Sequence, residues 1–210
     1  MKKVDNQTPK IIIPNKKDLK KAAHILTEAF KDYPLMQYFI PNKDKRYKDL
    51  DAIWYTEVIY AHRFGKIFGI ENSKGSFDAV IITIDKRISN FKMFLCGAMR
   101  IPLRLGSDFM KRQDIISKIQ NSMEDKYANF PHRYLWAVAT MPQSQGKGYG
   151  SKLVQHILED LRGINLPCYL ETTKLNNIKI YEKLGFKLLE SYQVPGIDLV
   201  NYAMLWKPSD

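Results

Sequence analysis

The sequence predicts a mixed α/β domain, and three features carry that prediction. Tyr134 to Met141 is a nearly continuous apolar run, the mark of a strand buried on both faces. A glycine-rich turn, Gln145 to Gly150, follows, and beyond it Leu153, Val154, Ile157, Leu158 and Leu161 recur on one helix face while Lys152, Gln155, Glu159 and Arg162 face away. Upstream, two apolar runs at 66 to 71 and 77 to 84 flank Asn72-Ser73-Lys74-Gly75, the composition of a hairpin turn.

Taken in order, Ile11-Ile12-Ile13 reads as a short strand stopped by Pro14. Asn15 precedes a helix with Leu19, Ala22, Ala23, Leu26 and Phe30 on one face, which breaks near Tyr33-Pro34-Leu35. A second amphipathic helix spaces Tyr47, Leu50, Trp54, Val58 and Ala61, and the hairpin follows. Residues 88 to 130 read as a helical insertion whose Phe91, Met93, Phe94, Leu95, Met99 and Ile101 belong to the core by the usual burial of such side chains. An insertion of this kind can also line an acceptor pocket. Beyond the glycine turn and its helix, Cys168 to Thr173 is a strand, 176 to 184 a short helix, and two strands around a turn at Pro195-Gly196 close the chain.

At 210 residues, with 45% apolar and 26% charged residues, the chain is read as one globular domain spanning 1–210. Its net charge of +11 favours anionic partners, but Lys and Arg are scattered rather than clustered with aromatics on one element, which disfavours nucleic acid. Cys96 and Cys168 match no metal-ligand spacing and suggest neither a disulfide framework nor a metal site. The start, Met1-Lys2-Lys3, leads into no apolar segment and no run is long enough to span a bilayer, so a soluble, cytoplasmic protein is expected, as monomer or homodimer.

A buried strand, glycine turn and helix in succession aim backbone N–H groups and the positive end of a helix dipole at one spot, which suits phosphate. Gly146, Gly148 and Gly150 permit positive φ and close approach, and Lys147 adds charge. Gly150 is followed by Ser151-Lys152, the wrong order for a Walker loop, and the G-x-G-x-G spacing is not the G-x-G-x-x-G of a dinucleotide fold, although Glu171 lies where a ribose-binding acid would stand.

These residues resemble the GCN5-related N-acetyltransferases. Ala139-Thr140-Met141-Pro142 before Gln145-Gly146-Lys147-Gly148-Tyr149-Gly150 is similar to the signature strand and Gln/Arg-x-x-Gly-x-Gly/Ala turn of that family, and Asn177, Tyr181, Gly185 and Phe186 match its second signature. The resemblance covers 132 to 190. Leu170-Glu171-Thr172-Thr173 and the segment Glu28 to Pro34 look like the branch that includes puromycin-type small-amine acetyltransferases. Thr140 departs from the aliphatic residue usual there.

The resemblance implies a central mixed, mostly antiparallel sheet flanked by helices, with acetyl-CoA as cosubstrate and a small-molecule amine as acceptor. It places the coenzyme on Val138, Ala139 and Thr140, on the loop Gln145, Gly146, Lys147, Gly148, Tyr149, Gly150 and Ser151, and on Asn177. Tyr181 is expected to hydrogen-bond the departing thiolate; full proton transfer from a reference Tyr to a reference Cys thiolate is uphill by about 2 kcal/mol. An alkylamine must lose a proton at a cost of about 4 to 5 kcal/mol at neutral pH. Glu171 is the first candidate for the base and His132 the second. The alternatives are an acyl-CoA sensor or nucleic-acid module on the same fold, or a transferase for peptide N-termini or lysines.

Overall fold

The computed structural model describes residues 10–85, 88–194 and 197–208, so the expected turn at Pro195-Gly196 and the first nine residues lie outside the described part. Seven strands form one sheet: β1 (Ile11–Ile12), β2 (Gly65–Glu71), β3 (Phe77–Asp85), β4 (Arg133–Thr140), β5 (Cys168–Thr172), β6 (Lys187–Gln193) and β7 (Val200–Trp206). Their order is β1-β2-β3-β4-β5-β7-β6. Every neighbouring pair is antiparallel except β4 with β5, which are parallel because a helix crosses between them.

Two helices, α1 (Leu19–Phe30) and α3 (Lys43–Phe64), cover one face of the sheet. The stripe expected on α1 is buried at Leu19, Ala22, Ala23 and Leu26, and α3 buries Leu50, Trp54, Val58 and Ala61 against the same core. Asn42 starts α3 by accepting bonds from the Asp44 and Lys45 N–H groups, which a helix start leaves without carbonyl partners. Tyr47, expected on that stripe, is instead 36% exposed, its hydroxyl donating to Glu28 Oε1 at 2.8 Å. A phenol that reaches a surface carboxylate satisfies its polar end without burial. Between these helices α2 (Pro34–Phe39) begins at the proline that interrupts α1.

The opposite face carries α6 (Tyr149–Gly163), which buries Leu153, Val154, Ile157, Leu158 and Leu161, and the short α7 (Leu175–Glu182). Both cysteines are buried free thiols. Among the described residues no helix is long and apolar enough to cross a membrane.

The segment from 88 to 130 is helical, as expected: α4 (Asn90–Leu95) and α5 (Arg100–Tyr127), the latter bent at Gly106, whose φ is +76°. Its apolar residues do not form the core predicted for them. Phe91 is 71% exposed, Met99 60%, and Phe94 and Leu95 are exposed too. Only Met93 and Ile101 of that group pack against core clusters. One and a half turns of helix have too little area to bury both sides, and α4 turns this side to solvent. The insertion is anchored instead by Phe109 and Ile116, further along α5.

Candidate active site

The feature that organises the site is a gap in the sheet. β4 and β5 pair in register only at Arg133 with Cys168 and Tyr134 with Tyr169, after which β4 runs on to Thr140 paired with β3 alone. The strand is also bulged: pairing passes from Leu135–Thr83 to Ala137–Ile82 and leaves Trp136 as the extra residue. On the β5 side, the backbone of 135 to 140 therefore faces a cavity rather than a strand. That cavity has a volume of about 680 Å³ and reaches from the glycine turn, between the parted strands, to α1, α2, α3 and α5 on the far side.

The glycine turn closes one end. Pro142–Ser144 forms a single 3₁₀ turn, then Gly146 and Gly148 take φ of +79° and +75°, the left-handed region that favours glycine. Gly148 caps α6 with no side chain, and the first N–H of this segment to bond back into the helix is that of Lys152, to Gly148 O at 3.0 Å. The N–H groups of Tyr149, Gly150 and Ser151 thus begin α6 as the donors a helix start leaves without intrahelical carbonyls. This is a fit for a pyrophosphate. Gln145, Gly146, Gly148, Tyr149, Gly150 and Ser151 line the cavity, as do Val138, Ala139 and Thr140. Lys147 does not; its ammonium lies 5.9 Å over the Tyr149 ring.

Opposite the turn, α7 presents Asn177, Ile180 and Tyr181 to the cavity, and Leu184 just past its end lines it too. The end of this helix fixes Tyr181. Phe186 N–H bonds to Tyr181 O at 3.0 Å and Gly185 N–H to Glu182 O at 2.9 Å, the paired pattern of a Schellman cap, with Gly185 at φ +91°. The rings of Phe186 and Tyr181 meet edge to face at 5.6 Å, the apolar contact of that cap. Asn177 donates to Thr172 Oγ1 at 2.9 Å, and Tyr33 ties in the same strand end by accepting from Thr173 N–H at 2.9 Å. Burial, with Tyr33 and Cys168 nearby, pushes the Tyr181 hydroxyl well above the ordinary phenol range. It is a neutral hydrogen-bond donor at any physiological pH.

Glu171, at the far end of the cavity, is surrounded by donors. Tyr169 gives a bond to Oε1 at 2.8 Å and Tyr192 one to Oε2 at 2.6 Å, and Asn201 donates to Oε2 as well. Burial raises this carboxyl to about 7 against the pull of those bonds. Glu57 contrasts with it. It comes off α3 one turn after Trp54 and is partly open to the cavity, where burial raises it to about 7 as well and the Trp136 indole opposes the rise. The apolar spacing of α3 was read without it, although an acidic side chain three residues from Trp54 on a buried stripe was a visible signal.

The second base expected from the sequence is misplaced. His132 is buried away from the cavity wall, its Nδ1 2.9 Å from Phe130 O and its Nε2 3.3 Å from Glu124, between the rings of Phe130 and Tyr169. It holds the start of β4 in place. Among the described residues no three His, Cys, Asp or Glu side chains are grouped to hold a metal ion.

Comparison with known proteins agrees with this geometry. The model of the acetyltransferase (GNAT) family matches residues 113–186, the stretch that holds β4, the turn, α6, β5 and α7. An uncharacterized N-acetyltransferase of Schizosaccharomyces pombe is 28% identical over 183 residues, which cover 83% of this chain and 73% of that protein. Among solved structures, a histone acetyltransferase HPA2 and related acetyltransferase from Corynebacterium glutamicum superposes with a TM-score of 0.68 at 22% identity, covering 95% of this chain and 96% of the other. Arylalkylamine N-acetyltransferase 2 of Aedes aegypti shares the fold with a TM-score of 0.65 at 11% identity, over 96% and 100% of the two chains.

Proposed function

We propose, from the premise that this chain belongs to the acetyltransferase (GNAT) family and is an acyl-CoA-dependent N-acetyltransferase, that it acetylates the primary amine of a small molecule by direct attack on acetyl-CoA in a ternary complex. The parting of β4 from β5 over the glycine turn is the observation that carries this reading. The turn and the start of α6 take the pyrophosphate, and the backbone of Val138 and Thr140 pairs with the pantetheine arm as a missing strand would. This sets the thioester beside the bulge at Trp136, where a strand N–H stabilises the oxyanion.

Tyr181 faces the sulfur from α7 and donates a hydrogen bond to it as the C–S bond breaks. With its hydroxyl raised, full transfer is less favourable than reference values imply, so it stabilises the leaving thiolate without surrendering its proton. Glu171 is a positioning residue. Its three donors occupy both carboxylate oxygens, which ties β5, β6 and β7 together and leaves it poorly placed to take a proton.

The acceptor enters from the other end, between Phe30, Phe39, Trp54 and Phe109, walls that suit an amine on an apolar body. The Aedes aegypti enzyme of this fold acts on arylalkylamines, in keeping with a small-amine acceptor. The reading is tested by following free thiol released from acetyl-CoA across a panel of primary amines, including apolar and aromatic ones. Amine-dependent release that saturates with one group of amines is expected; a background rate unaffected by any of them contradicts it.

A further inference from the structure

We propose that Glu57 is the general base that takes the proton from the acceptor amine. This rests on the reading of the chain as an amine acetyltransferase.

Two acidic side chains, Glu57 and Glu171, line the cavity. The donors around Glu171 occupy both of its oxygens. For Glu57 only the Trp136 indole, on the same cavity wall, opposes the rise that burial causes, which leaves lone pairs to accept from a substrate ammonium. Its position is also the right one. Trp136 is the extra residue of the β4 bulge, the point where the strand backbone turns from β5 to the cavity, and Glu57 lines the same cavity between the acceptor end on α1, α2 and α5 and the backbone that receives the thioester.

The other titratable groups that share the cavity are Tyr33, Tyr134, Tyr149, Glu171, Lys174 and Tyr181. The wall segments of α1 and α5 contribute Ala29, Phe30, Phe109, Gln113, Ser117 and Gln120, none of them charged, so no cation from those helices competes for Glu57. Burial without a cationic partner leaves Glu57 half-ionised near pH 7, the poise at which a base both exists as carboxylate and binds a proton firmly.

The balance is simple. The nitrogen of the ammonium loses one proton to Glu57, which passes it to solvent; the amine lone pair forms the C–N bond; the C–S bond breaks with its electrons on sulfur; and the second proton leaves nitrogen as the thiol is formed.

The test compares wild type with Glu57→Gln on two acceptors that differ mainly in basicity: an alkylamine, charged at pH 7, and an amine of pKa near 5, already neutral. Glu57→Gln is expected to lower kcat/KM for the alkylamine about 10²-fold or more and to remove the inflection near pH 7, while the weakly basic amine loses far less. Unchanged acetyl-CoA binding by calorimetry confirms the variant is folded. Equal losses on both amines, or an alkylamine profile that keeps its inflection near pH 7, overturn the role of Glu57. A wild-type enzyme that turns over no amine refutes the transferase reading itself, a separate outcome.

Discussion

Tyr181, Gly148 and the two cavity glutamates set what single residues do here. If Tyr181 donates to the thioester sulfur as proposed, Tyr181→Phe removes that bond but keeps the ring on Phe186, so kcat is expected to fall about 10²-fold with little change in acetyl-CoA affinity, measured by steady-state kinetics and calorimetry. At Gly148 a side chain must adopt φ near +75°, at about 1–2 kcal/mol. The carboxylate of Gly148→Glu would also project where phosphate binds, so its acetyl-CoA affinity should be lost while the protein still folds. The glutamates bear on stability as well. Glu57 has its carboxyl raised from 4.5 to about 7, so the folded state binds more protons than the unfolded chain within that window, and stability falls as pH rises through it. Glu57→Gln should flatten that fall and leave the protein more heat-resistant than wild type at pH 8, by thermal melts at both ends of the window.

At the scale of elements, the end of α7 links stability to chemistry. Gly185 sits at φ +91°, and an added Cβ would stand 3.1 Å from Trp206 Cδ1. Gly185→Ala should cost about 1 kcal/mol or more, seen as a lower melting temperature, and should lower kcat too, because the cap bond from Phe186 to Tyr181 is part of what aims the phenol. The β4-turn-α6 unit was legible in the sequence because each part has its own local signature: an apolar run for a strand without a wet face, glycines for positive φ, and 3.6-residue spacing for the helix. Gly185 and Phe186, which form the cap of α7, were legible as the end of the second signature. What was hidden depends on contacts between distant elements. The three donors on Glu171 come from β5, β6 and β7, and no spacing brings them together. His132 was named as a base candidate because the carboxylate beside it, Glu124, is eight residues upstream on α5, where no local spacing points to it. The exposed apolar residues of α4 were assigned to the core since periodicity tells which side chains share a face and not whether anything packs on it.

For the whole molecule, two layers of helix press on a sheet that opens in its middle, so the site is a consequence of topology: a parallel pair can diverge along its length while the antiparallel pairs beside it stay joined. The net charge of +11 acts at this scale. Attraction of the anionic coenzyme is screened by salt, so KM for acetyl-CoA should rise severalfold between low ionic strength and about 0.5 M while kcat changes little. The central claim is that the opening between β4 and β5 holds acetyl-CoA for transfer to an amine. Its most direct test is mass spectrometry of the amine after incubation with acetyl-CoA and either wild-type protein or Gly148→Glu. An acetylated amine formed by wild type and not by the variant is the predicted result; equal amounts from both, or none from wild type, would contradict it.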